Sequence, residues 1–326
     1  FFFVVSFKRP MTMHRLVSMG ATRARSRCRA WPMQTRCIGH WPLLWQGGPL
    51  PTRRTSTGQT SFKGLRCYSA EPQTVSDERC QALASSLMEH FRLDNSGDIC
   101  WAMTDPALPV SECAAYLEKT LHYLKEMGDA MKSLKVTTGR IADRWNMVEK
   151  RFLLSAKVAA IRDTMPGASN EEIFMALKQL TVSAQHHIHA GDLTLRYLDE
   201  QVWQLVFNCG FGKPLPEHVS LTQARAILFV LYSATCEEQF LARLKDECQG
   251  KAAQEKEEVV LRTLLEVMFH AYSIFGYEHE DGYLAVHKAM MDYGGDHGIF
   301  QGKAALWKVI TDTTQVDPAS IPFPQP

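Results

Sequence analysis

From Ser111 to Met165 the chain runs without a proline, and its apolar residues recur at three- and four-residue steps. That is the period of a helix with one buried face. Leu117, Leu121, Leu124 and Met131 form one seam; Ile141, Trp145, Val148, Phe152 and Ala156 form a second, beyond "TTG" at 137–139. Two long helices, or one bent at Gly139, satisfy this pattern, and "MPG" at 165–167 stops it.

The same period extends through most of the chain. Cys80, Leu83, Ala84, Leu87, Met88 and Phe91 make one stripe within 74–92, ended by "DNSGD" at 94–98. Ser169 with Glu172, Ser220 with Gln223 and Thr235 with Glu238 have capping-box spacing, in which hydroxyl and acid or amide satisfy two orphan N–H groups. Asp192 is expected to cap a helix that ends at Gly210 as its C-terminal glycine. Further helices are expected over 252–275, 282–293 and 301–312. Alternating β-branched runs joined by hairpin turns are absent. The expected fold is all-α: long amphipathic helices packed as a bundle or an irregular stack of helix pairs. No eighteen consecutive residues are apolar, so no transmembrane helix is expected.

Charge divides the chain. Residues 1–70 hold twelve Lys and Arg and no acid; the remainder sets 24 basic residues against all 35 acids, a net charge of −11. A basic, acid-free, Ser/Thr- and Arg-rich leader has the composition of a mitochondrial transit peptide. Arg66, Tyr68 and Ser69 fit a processing site with Arg at −3, an aromatic at −1 and a small residue at +1, which leaves 258 residues after the cut. The chain opens "FFFVVSFKRP", with Met11 and Met13 close behind, and residues 1–10 are expected to be untranslated sequence read through, with Met11 or Met13 as the start. The expected organisation is a presequence over 1–68, helical regions over 69–210 and 211–316 divided at "FGKPLPEHVS", and a Pro-rich tail over 317–326. Cys80, Cys100, Cys113, Cys209, Cys236 and Cys248 lie too far apart for a CxxC pair and are expected as reduced, buried thiols. The expected location is the mitochondrial matrix or the matrix face of the inner membrane.

Chemistry-bearing motifs are scarce. Phosphate-binding GxxxxGK[ST], dinucleotide-binding GxGxxG and nucleophile-elbow GxSxG patterns do not occur. "LDNSGDI" at 93–99 fails as a calcium loop, because alignment on Gly97 puts Arg92 at position one and Met103 at position twelve. His186, His187 and His189, with Asp192, offer donors at helical spacing, as do His279, Glu280 and His287, but neither group has HExxH spacing. Glu266 and His270 share a helix face without the second set that a di-iron bundle needs. Asp296 and His297 sit in the turn "GGDHG". No catalytic residue, cofactor or metal ligand is assigned from these. The densest basic segment, 132–151, mixes its charges, and an acidic body is steered away from phosphate, so no nucleic-acid partner is expected.

What remains is an interaction protein. Trp101, Trp145, Trp203 and Trp307 read as exposed aromatics, and Met290, Met291, Tyr293, Phe300 and Trp307 as interface anchors. The function expected is a non-catalytic matrix-side accessory subunit of the ATP synthase, or next of a respiratory complex, with that complex's protein subunits as partners. A mitochondrial ribosome or RNA-processing factor is the first alternative, and an all-α metal-dependent matrix enzyme the second.

Overall fold

The computed structural model describes residues 75–95, 97–101, 107–134 and 140–316. The processing motif at Arg66, Tyr68 and Ser69, the rest of the leader and the Pro-rich tail lie outside the described residues. The fold is all-α, and no strand occurs among the described residues. The helices are α1 (Asp77–His90), α2 (Val110–Glu126), α3 (Gly128–Leu134), α4 (Ile141–Met147), α5 (Leu154–Thr164), α6 (Asn170–His189) and α7 (Leu193–Val206), then α8 (Leu221–Thr235), α9 (Glu238–Cys248), α10 (Ala253–Ile274), α11 (His279–Asp292) and α12 (His297–Thr314). Two π-helical turns interrupt them, Val148–Leu153 between α4 and α5 and Phe207–Phe211 after α7. Among the described residues no single helix is long and apolar enough to cross a membrane.

Local chemistry sets most of the ends. Ser169 and Ser220 each close a capping box with Glu172 and Gln223, and Asp192 Oδ1 accepts the Leu195 N–H at 2.9 Å. Thr235 departs from expectation: it is the last residue of α8, and its hydroxyl donates back to Tyr232 O at 2.8 Å, so Glu237 takes the cap position of α9. The chain also runs past Gly210, because the π turn carries the winding on to Phe211. Gly212, at φ 64°, makes the left-handed stop, which a residue without Cβ adopts freely.

Packing gathers the helices into two groups. α8 is wrapped by α1, α10, α11 and α12, while α2 packs on α5, α6 and α7. Each group has its own apolar cluster, a large one containing Leu87, Ile227, Val260 and Ile310, and a smaller one containing Cys113, Leu117, Ile161, Ile173 and Leu195. Helix α1 from the start of the described chain packs closely on α8, and the larger cluster draws residues from both sides of position 210. α12 reaches α8 so closely that a Cβ on Gly302 would stand 2.6 Å from Leu228 Cδ2.

The tryptophans are not an exposed set. Trp145, Trp203 and Trp307 are buried and Trp101 is half-buried, since α4, α7 and α12 turn their apolar stripes inward. Trp145 stacks near Trp203 and Phe211, with centroids 6.3 and 5.8 Å away. Met290 and Tyr293 are core as well. The six cysteines among the described residues are free thiols; Cys80, Cys113, Cys209 and Cys248 are buried.

One buried ion pair fastens the α8 group. The Arg225 guanidinium donates to Asp296 at 2.6 and 3.2 Å, with side chains 2% and 0% exposed. Arg225 also donates to Asp98 O, and Asp296 accepts the Cys100 and Ile299 N–H groups at 3.0 Å each. Three segments distant in sequence thus meet at one carboxylate, which is the N-cap of α12.

Candidate functional site

A cavity of about 410 Å³ opens where the two helix groups meet. Its walls come from α2, the Val148–Leu153 π turn, α5, α6, α7, α11 and α12, and they include Glu149, Lys157, Asp199, Lys288, Asp292 and Lys303. Each of these except Asp292 interrupts an apolar stripe. Lys303 falls between Ile299 and Leu306, Asp199 between Leu195 and Val202, Lys157 between Leu153 and Ile161, Glu149 between Trp145 and Phe152, and Lys288 between Leu284 and Met291. Helical spacing therefore turns them inward with their apolar neighbours.

The π turn aligns two of them. In an unbroken α-helix, eight residues between Glu149 and Lys157 would place them ~80° apart around the axis. The π turn absorbs about one surplus residue, which reduces the offset to ~20° and brings both side chains onto one face. Its position is held from behind: Gly210 in the second π turn lies against Val148, where a Cβ would come within 2.9 Å of Val148 Cγ2.

The electrostatics are those of ionisable groups with little solvent. The Trp145 indole N–H donates to Glu149 Oε2 at 2.8 Å, yet burial still raises the Glu149 carboxyl above the ordinary range, with Lys303 among the groups that oppose this. Burial and the neighbouring Asp292 push Asp199 up to about 7. Burial pulls Lys303 down to about 8 against the attraction of Glu149, and it lowers Lys157 too, against Asp199 and Glu149. Among the described residues Lys157, Lys303 and Asp199 form no hydrogen bond or ion pair. Lys288 is different: it pairs with Asp292 one turn on and lies 5.2 Å from the Trp203 ring centroid, and its pKa rises because these acidic neighbours outweigh its desolvation. Gln185 donates to Met291 O at 2.5 Å, while its buried Oε1 has no donor. Leu153, Leu177, Val202 and Trp203 complete an apolar side to the wall.

Acids raised above their usual range and amines held below theirs, facing one space, are what proton transfer and binding of charged solutes require. Burying such groups costs stability that an apolar filling would not.

The residues singled out from sequence lie mostly elsewhere. His186 lies tilted against Trp101 with ring centroids 5.2 Å apart, and His187 Nε2 lies 2.7 Å from Leu108 O. His189 reaches the cavity rim, stacked on Tyr293 at 5.2 Å, while Asp192 caps α7. His279 is exposed at φ 54°, Glu280 pairs with Lys213 at 3.4 Å, and His287 is buried among Trp145, Tyr272 and Tyr283. Burial pulls the His287 imidazole down to about 3. Glu266 pairs with Arg243 at 2.9 Å. Asp296 belongs to the buried ion pair, and His297 Nε2 contacts Gln301 at 3.1 Å. Among the described residues no three His, Cys, Asp or Glu side chains converge as a metal-holding group. Glu149, Lys157, Asp199 and Lys303 were missed because no short motif contains them; their signal is a charge on an apolar stripe. Comparison of the chain with protein-family models, with curated proteins and with solved structures finds no match.

Proposed function

We propose that this protein is a mitochondrial matrix protein that holds a small ionised solute in the cavity between its two helix groups. The observation that carries the reading is the inward-facing set Glu149, Lys157, Asp199 and Lys303, of which three form no hydrogen bond or ion pair among the described residues. A pocket of a few hundred Å³ with an apolar wall and a few convergent polar groups is the usual form of a small-molecule site. The matrix assignment draws on the acid-free basic leader and the Arg66, Tyr68, Ser69 motif. The test is native mass spectrometry of the protein isolated from mitochondria, followed by denaturation. A stoichiometric small solute released on unfolding is expected. Protein that carries none, and is not shifted in Tm by any member of a metabolite panel, would overturn the reading.

A second reading is favoured by a separate observation. Leu193 and Tyr197 on α7 are 74% and 62% exposed and Met175 on α6 is 57% exposed, large apolar side chains open to a partner. They support a non-catalytic accessory subunit at the matrix side of an inner-membrane energy-transducing complex, the ATP synthase before a respiratory complex. A complexome profile tests this: comigration with such a complex is expected, and migration at the monomer mass would sink it.

A further inference from the structure

We propose that the cavity binds a small organic carboxylate, its anionic end between Lys157 and Lys303 and its apolar part against Leu153, Val202 and Trp203. This rests on the reading of the cavity as a solute site and names the solute's class. The sign of the charge comes from a count of what is already paired. Lys288 is engaged by Asp292, and Glu149 accepts from Trp145, whereas Lys157, Lys303 and Asp199 form no hydrogen bond or ion pair among the described residues, two cations against one acid. The two cations come from different helices, α5 and α12, and line the same cavity, so that it offers an anion charge from two of its walls.

The carboxyls help rather than oppose. Buried acids that hold their protons near neutral pH donate an O–H to a bound carboxylate instead of repelling it. Asp199, pushed up to about 7, has that character, and burial moves the Glu149 carboxyl in the same direction. A cationic solute would instead have to displace or neutralise two lysines.

Two features favour a carboxylate over a phosphate. Phosphate sites draw on helix N-terminal N–H groups, and Lys157, Asp199, Lys288 and Lys303 all lie in helix interiors. The apolar side of the wall also gives a hydrocarbon body a surface that a bare phosphate would leave wet.

The experiment titrates the full chain with octanoate, succinate, inorganic phosphate and octylamine, reading tryptophan fluorescence and Tm. Saturable binding of one or both carboxylates is expected, weakened at least tenfold by Lys303→Met and by Lys157→Met. Lys303→Arg should retain binding, and Lys308→Met, on the exposed side of α12 beside Asp312, should leave it unchanged. Circular dichroism establishes that each variant is folded. Carboxylate binding that survives Lys303→Met and Lys157→Met, or binding by phosphate alone, overturns the proposal. Saturable octylamine binding without carboxylate binding also overturns it but leaves the cavity a solute site. No response to any probe counts against both.

Discussion

Two sets of charges lie inside this fold, one fully buried and one half-buried apart from Glu149, and they are built in opposite ways. Arg225 and Asp296 are both almost inaccessible, and their acceptors and donors are matched by each other, by Asp98 O and by the Cys100 and Ile299 N–H groups. Glu149, Lys157, Asp199 and Lys303 have one side-chain hydrogen bond among them, to Trp145, and face a cavity. In the first set each group is held by a fixed partner, which suits joining α8, α12 and the 98–101 segment. In the second the groups keep unused bonding capacity, which suits something that comes and goes. Burial alone does not mark function; burial with unused valence does.

If that contrast holds, Asp296→Ala should have the largest effect on stability. It strips Arg225 of its counter-charge and two N–H groups of their acceptor, a loss of about 3–5 kcal/mol, read by denaturant unfolding. A loss no greater than that of Glu149→Gln would erase the distinction. Gly302→Ala is next, about 1–3 kcal/mol by overpacking against Leu228. It probes the α8–α12 contact that carries both Asp296 and Lys303, and full stability in this variant would show that contact to be loose.

Lys303→Met should act in the opposite direction and raise Tm, because it replaces a desolvated amine by an isosteric apolar chain. A fall in Tm would place Lys303 with Arg225 as a structural cation. The smallest effect concerns pH. Asp199 is raised from 3.8 to about 7 in the fold, so its stabilising contribution is full below about 4 and is lost as pH rises through about 7. Lys303 is lowered from 10.5 to about 8, so its contribution is present above about 10.5 and is lost as pH falls toward about 8. On the acid side His287 opposes Asp199, since its contribution fades as pH falls from about 6.5 toward about 3. The wild-type profile should therefore be nearly flat below about pH 7 and rise above about 8; Lys303→Met should lose that rise, and Asp199→Asn should uncover the acid-side loss due to His287.

Helix content was legible because it depends on local periodicity and caps. Ile141, Trp145, Val148, Phe152 and Ala156 are all buried, as their spacing requires. Thr235 and Gly210 misled because the competing possibilities, a hydroxyl bonding back into its own helix and a π turn, use the same residue types. The tryptophans misled for another reason: composition shows how many aromatics there are, and only packing shows which way they face. The cavity stayed hidden because Glu149 and Lys303 are 154 residues apart and meet only through tertiary packing. The π turn did leave a trace. The buried series from Ile141 through Trp145, Val148, Phe152 and Ala156 to Ala160 takes 19 residues for five steps, where an α-helix needs about 18.

That surplus residue bears on how related chains should be aligned. A π turn takes up one residue without rotating the helix ends that flank it, so loss of a residue within Lys150–Leu153 would leave Glu149 and Lys157 on one face. A homologue shorter by one should show its gap in the middle of this helix, where gaps are ordinarily dismissed as alignment error, and an acid and a lysine seven positions apart would then be the counterparts of Glu149 and Lys157.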